Sequence, residues 1–233
     1  MPVQKALLRI LICLLFVHVT GTAYSNDTPI MSVGKAIQPR TDVPVRLVSE
    51  LVEITLDKDK AFVSCTFNLL NEGPPDTIDV GFPRGGESDL LDFVAAIGLD
   101  TLEVETVSSV PVYVDPYKKE LPWWKTFKVP FTEKGQTVEV NNSYWTPVLH
   151  STHTKLSNHW FTYIMTTGAN WKGVIGDATF IVTIKNINQS QIVKVTPKNY
   201  VTENNTFIWR FTDFEPDRNI EIFYMHEKVY SVW

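Results

Sequence analysis

From Val52 the chain alternates apolar and polar residues with a period of two. Val52, Ile54 and Leu56 alternate with Glu53 and Thr55, and Asp57-Lys58-Asp59-Lys60 makes a polar turn. Ala61, Val63, Cys65, Phe67 and Leu69 then alternate with Ser64, Thr66 and Asn68. Successive side chains of a strand point to opposite faces, so this pattern predicts an antiparallel hairpin with one buried face. Gly73, Pro74 and Pro75 break it, and a further strand follows at Ile78, Val80 and Phe82. The pattern returns at Leu102/Val104, Val110/Val112/Val114, Phe127/Val129/Phe131, Val138/Val140, Phe161/Tyr163/Met165, Phe180/Val182/Ile184, Val193/Val195, Phe207/Trp209/Phe211 and Ile220/Ile222/Tyr224. Roughly twelve strands at this spacing predict an all-β protein, an antiparallel β-sandwich built on one core or as two β lobes.

Two segments interrupt the regularity. Leu90, Leu91, Val94 and Ile97 fit a helical period, but Phe93, Ala95 and Ile97 also fit period two, and we read a strand there. Pro116 to Pro122 is bounded by prolines that exclude a long helix. It is the expected boundary between a first β lobe over 44–116 and a second over 117–233. Residues 24–43 are polar and punctuated by Pro and Gly, and read as a linker or a strand that packs late.

The first 23 residues read as an address. Lys5 and Arg9 precede the apolar run Ile10–Val19, which is shorter than the ~20 residues a membrane-spanning helix needs. Gly21-Thr22-Ala23 supplies the small residues of a signal cleavage site, so cleavage is expected after Ala23. The mature chain is then exported, to a periplasmic or extracellular location, with no transmembrane segment. Its only cysteine is Cys65, in phase with Val63 and Phe67, which predicts a buried, inert thiol.

Composition narrows the partner. The 233 residues are 44% apolar and 20% charged, which excludes wholesale disorder. The formal charge is −5, and loss of Lys5 and Arg9 takes it to −7. Nucleic acid selects a basic surface, so no nucleic-acid partner is expected.

Three features carry candidate chemistry. His150, His153 and His159 fall within ten residues, in and just after Leu149–Asn158, a segment that reads as a loop. Imidazole is a common ligand of zinc, copper and nickel, so these three are candidate ligands of a divalent metal, the one cofactor the sequence suggests. No helical scaffold or nearby acid supports them. Trp123 and Trp124, beside Lys118-Lys119, could offer a stacking platform to sugar rings or a partner surface, with Trp145, Trp160 and Trp171 as further candidates. Gly168, Gly173 and Gly176 read as turn glycines with positive φ rather than a phosphate loop. No G-x-S-x-G elbow is present, and no catalytic residue is assigned.

The run Tyr163-Ile164-Met165-Thr166-Thr167-Gly168-Ala169-Asn170-Trp171-Lys172-Gly173, followed by Ile175-Gly176-Asp177, resembles a segment of an exported bacterial family known only as domain of unknown function 4424. Asn71-Glu72-Gly73 with Gly81-Phe82-Pro83, Trp124 with Phe131, Val138, Val140, Tyr144 and Pro147, and Phe214-Glu215-Pro216 with Asn219, Ile220 and Ile222 are similar to other parts of it. The resemblance spans residues 46–224. It implies an exported β-rich domain and brings no activity, cofactor or catalytic residue.

The reading these features support is an exported β-sandwich that binds a protein or polysaccharide partner without catalysis. Edge strands such as Phe127–Phe131 or Ile220–Tyr224 would be open to a partner strand. Two alternatives stay open: a metal-binding protein or metal-dependent hydrolase centred on His150, His153 and His159, and a carbohydrate-binding module using Trp123 and Trp124.

Overall fold

The computed structural model describes residues 27–33, 36–83, 89–108, 123–151 and 156–227. The expected signal segment, the cleavage point at Ala23, the Val110–Val114 strand, the Pro116–Pro122 boundary and His153 lie outside the described residues. Among those described, the chain forms seventeen strands and two short 3-10 turns. In chain order the strands are β1 (Thr28–Val33), β2 (Ala36–Pro39), β3 (Val45–Leu56), β4 (Lys60–Asn71), β5 (Asp76–Pro83), β6 (Leu91–Ile97), β7 (Asp100–Thr101), β8 (Glu105–Ser108) and β9 (Trp123–Phe131). They continue as β10 (Thr137–Pro147), β11 (Leu149–Ser151), β12 (Leu156–Tyr163), β13 (Ile175–Ile184), β14 (Ile192–Thr196), β15 (Val201–Glu203), β16 (Thr206–Phe214) and β17 (Ile220–Glu227).

The strands make an eight-stranded sheet, β15-β16-β13-β3-β4-β10-β6-β7, a five-stranded sheet, β2-β1-β5-β9-β8, and a four-stranded sheet, β11-β12-β17-β14. The all-β sandwich expected from the alternation is present. All pairings are antiparallel except β3 with β13, which run parallel. Both smaller sheets pack on one face of the large one. Phe82 of β5 meets Tyr144 of β10 at 5.2 Å between ring centroids, and Phe93 of β6 meets Phe127 of β9 at 6.4 Å. Beside them, Tyr163 of β12 meets Phe180 of β13 at 6.0 Å. One apolar cluster runs from Val43 to Tyr224 through all three sheets.

The alternation assigns this inner face almost residue by residue. Ala61, Val63, Cys65, Phe67 and Leu69 of β4 are buried, as are Ile78, Val80 and Phe82 of β5. On β3 the buried phase moves from Val45 and Leu47 to Glu50, Val52, Ile54 and Leu56, because a bulge between Leu47 and Ser49 inserts one residue. The ambiguous segment at Leu91–Ile97 is a strand, β6, paired with β10. Leu102 and Val104, expected on a strand, instead lie where the chain leaves the large sheet for the five-stranded one, with the Leu102 N–H donating to the Ala95 carbonyl at 2.8 Å.

Two expectations are corrected here. Ile220–Tyr224 is no edge: β17 pairs with β12 on one side and β14 on the other. Of the three glycines read as positive-φ turns, only Gly173 has a positive φ, 70°. Gly176, the second residue of β13, is glycine for a different reason: a Cβ there would stand 2.5 Å from the Val48 carbonyl oxygen.

Candidate binding surface

β11 and β12 form a hairpin that sets His150 directly opposite His159. The two rings stack at 5.6 Å, and His159 stacks in turn on Tyr224 of β17 at 5.2 Å. The Tyr224 hydroxyl donates to the Lys58 carbonyl at 2.8 Å, which ties the stack to the β3–β4 turn. Burial, with the charges of Asp57 and Asp59, pushes that phenol above its ordinary value. The structure thus brings two of the three candidate histidines together, face to face, and the first of them on a strand rather than in a loop. A metal approaches imidazole in the ring plane at a nitrogen, so a stacked pair presents the wrong surfaces to each other for sharing an ion. Among the described residues no three His, Cys, Asp or Glu side chains come together as metal ligands would.

The tryptophans disperse. Trp124 is only 6% exposed and packs with Ile30 and Val107, so neither of its faces is offered to a sugar or a partner; this corrects its expected place on a surface. The cause is Gly81, which faces it on β5: a Cβ there would lie 2.8 Å from the Trp124 ring and 2.6 Å from Ile30. The side chain of Trp123 is outside the described set. Trp171 and Trp209 are core residues, and the Trp209 Nε1–H donates to the Pro197 carbonyl at 2.9 Å. Trp145 is half-buried on the outer face of the large sheet, against Phe62 at 5.0 Å, with the Lys60 ammonium 4.2 Å above its ring.

A buried polar centre lies between the sheets, and sequence reasoning missed it. Asn142 of β10 stands beside Cys65 of β4 and donates from Nδ2 to both carboxyl oxygens of Asp27, each at 2.9 Å. The Trp171 Nε1–H donates to the Asp27 carbonyl at 3.1 Å, and the Tyr163 hydroxyl meets Cys65 Sγ at 3.6 Å. Glu50, one row along on β3, is also buried. Burial drives the Asp27 carboxyl well above the usual carboxylate range; the Asn142 bond opposes this and the Glu50 charge adds to it. Burial likewise pushes the Cys65 thiol and the Tyr163 phenol up, so both stay protonated. Cys65 is the inert, enclosed thiol its phase suggested. Two signals for this centre stood in the sequence. Glu50 is in phase with Val52, Ile54 and Leu56, and Asn142 is in phase with Val138, Val140 and Tyr144. Asp27 lay in a segment read as linker or late strand, and nothing singled it out.

The open chemistry is on the outer face of the five-stranded sheet. A groove of about 690 Å³ is lined by Ile30 and Ser32 of β1, Thr77 and Asp79 of β5, Thr126, Phe127, Lys128 and Pro130 of β9, Glu105 and Val107 of β8, and the crossing residues Leu102 and Glu103. It exists because β8 stops at Glu105, opposite Thr126. Among the described residues no strand pairs with Phe127–Phe131 on the side away from β5. The Lys128 Nζ donates to Asp79 Oδ1 at 2.6 Å, and the nearby Asp79 and Glu105 charges hold that ammonium above its ordinary value.

Residues 135–223 match the family described as Domain of unknown function (DUF4424), the family the sequence resembles. The match includes Asn142, Tyr163 and Trp171 of the buried centre and stops short of the groove. No curated protein matches this chain. Among solved structures, a Legionella pneumophila protein described as a "putative nutrient binding protein" is similar over 87% of this chain and 70% of its own, with 16% identity and a TM-score of 0.62. An M1 zinc metallopeptidase from Deinococcus radiodurans aligns over 82% of this chain and 45% of its own, with 14% identity and a TM-score of 0.39. Yeast LTA4 hydrolase aligns over 78% and 29%, with 11% identity and a TM-score of 0.38. At these identities the first supports the shared fold alone, and the other two carry no argument.

Proposed function

We propose that the mature chain is an exported, non-catalytic binding module that takes its ligand in the groove on the outer face of the five-stranded sheet. The observation that carries this reading is the groove itself. A concave surface mixing apolar side chains with a few polar groups, next to an unpaired strand segment, is the ordinary form of a recognition site. The groove volume lies in the range of about 300–1,000 Å³ typical of small-ligand sites. The description of the Legionella neighbour agrees with a binding role, and the open edge at Phe127–Phe131 agrees with a partner that lies extended.

The test is a thermal melt of the purified protein against amino acids, short peptides and sugars, with Thr77→Trp as a groove-filling variant on an exposed position. A ligand present at about 100 times its Kd adds roughly 2.7 kcal/mol, a rise of about 5–10 °C for a chain of this size. Such a rise, lost in Thr77→Trp while the melt of the free variant stays in place, is the expected result. A panel without any rise, or one whose hits survive Thr77→Trp unchanged, would overturn the proposal.

A further inference from the structure

We infer that the occupant of this groove is an extended peptide segment carrying lysine or arginine beside an apolar side chain, an inference that rests on the binding-module reading and narrows it to a ligand class. Shape comes first. The open stretch of β9 runs over Phe127–Phe131, and at about 3.4 Å per residue it spans roughly 17 Å, the reach of an extended segment of similar length. Pro130 brings no N–H to the strand, so a full ladder of backbone bonds is not on offer and side chains must do much of the discriminating.

Charge comes second. Among the described residues the groove holds the carboxylates of Asp79, Glu103 and Glu105 against one ammonium, that of Lys128, which is already bonded to Asp79. Arg40 feels the Asp79 charge, but its guanidinium is engaged by Asp42 at 2.7 Å. Glu103 and Glu105 therefore leave the groove net negative. An anionic ligand such as an acidic peptide, a phosphate or a sulfated sugar would meet repulsion, whereas a cationic side chain meets a complementary field. Apolar surface comes third: the half-buried Leu102 and Val107 and the exposed Pro130 line the same groove, over the buried Ile30 and Phe127, so a purely polar cation would leave that surface wet. A segment that alternates basic and apolar residues satisfies all three features.

The experiment titrates the purified protein calorimetrically with three capped pentapeptides, Lys-Leu-Lys-Leu-Lys, Gln-Leu-Gln-Leu-Gln and Glu-Leu-Glu-Leu-Glu. The lysine peptide binds tightest, the glutamine peptide more weakly and the glutamate peptide not measurably. Glu103→Gln and Glu105→Gln, both on exposed side chains, each weaken the lysine peptide about two- to fivefold, as expected for solvent-exposed charge pairs. Added salt narrows that difference. Equal affinity for the three peptides, or lysine-peptide affinity unchanged in the doubly substituted Glu103→Gln/Glu105→Gln protein, overturns the ligand class while leaving the groove as a binding site. Failure of all three peptides, or lysine-peptide binding untouched by Thr77→Trp, takes the groove reading down with it. Sedimentation of the same samples tests the rival occupant: a dimer that dissociates on Glu105→Lys would make the partner a second copy and overturn the peptide.

Discussion

Replacing Asp27 by asparagine removes a titratable proton from the interior while nearly preserving side-chain volume. In the native protein both Asp27 oxygens accept from Asn142 Nδ2 at 2.9 Å, and Glu50, Cys65 and Tyr163 are the titratable groups around it. Taking a carboxylate out of water costs several kcal/mol, more than the ~1.5–3 kcal/mol that a hydrogen bond to a charged group returns. The nearby Glu50 also opposes a second negative charge. The carboxyl is therefore held well above its usual range in the fold, and the folded chain keeps a proton that the unfolded chain releases above about pH 4. This stabilisation is complete below about pH 4 and is lost as pH rises toward the folded-state value, with a limiting slope of ~1.4 kcal/mol per pH unit. Urea unfolding of wild type and Asp27→Asn at several values between about pH 4.5 and pH 8 measures it. The ion pairs that hold Glu72, Asp42 and Asp217 low are common to both proteins and cancel in the difference. Wild type should lose stability relative to Asp27→Asn as pH rises. Parallel curves, or wild type gaining on the variant, would refute the reasoning, because the carboxyl would then be ionised inside the fold.

Three further outcomes are expected. Trp171→Phe removes the Nε1–H that satisfies the Asp27 carbonyl and should cost about 1–3 kcal/mol in urea unfolding. Gly176→Ala sets a methyl group against the backbone oxygen of Val48, 2.5 Å away, and should destabilise the protein by about 1–3 kcal/mol although alanine is normally tolerated in a strand. Zinc, nickel and copper should leave the melting temperature of the metal-stripped protein unchanged, because His150 and His159 are stacked on each other and on Tyr224; a rise abolished by His150→Ala would favour the metal reading instead.

Much of this fold was written in the alternation of β3, β4, β5, β10, β13 and β17, since each buries one face and period two marks that face directly. What escaped has physical causes. β2, β7, β11 and β15 are two to four residues long, too short for any period to show. The bulge at Leu47/Ser49 shifts phase within one strand, so Glu50 is out of phase with Val45 and Leu47 while in phase with Val52, Ile54 and Leu56. Trp124, beside Lys118-Lys119, was a candidate for a stacking surface; its burial follows from Gly81 on another strand, a contact that a local pattern cannot reveal. Strand order is a non-local property: β17 was mistaken for an edge, and β9, offered as another, lies between β5 and β8, with only Phe127–Phe131 lacking a second partner strand among the described residues. The family run at Tyr163–Asp177 was recognised, but its part in receiving Asp27 emerged only when the chain ends of the pattern met in space.

We place ligand recognition on the outer face of the five-stranded sheet. Backbone amide chemical shifts, recorded while the lysine-leucine pentapeptide is added, test it most directly. Perturbations are expected at Thr77, Asp79, Glu103, Glu105, Val107, Thr126 and Lys128, with His150, His159, Phe62 and Trp145 unmoved. Perturbations centred instead on the histidine hairpin, or on the Phe62–Trp145 face of the large sheet, would contradict it and move the site to one of the alternatives.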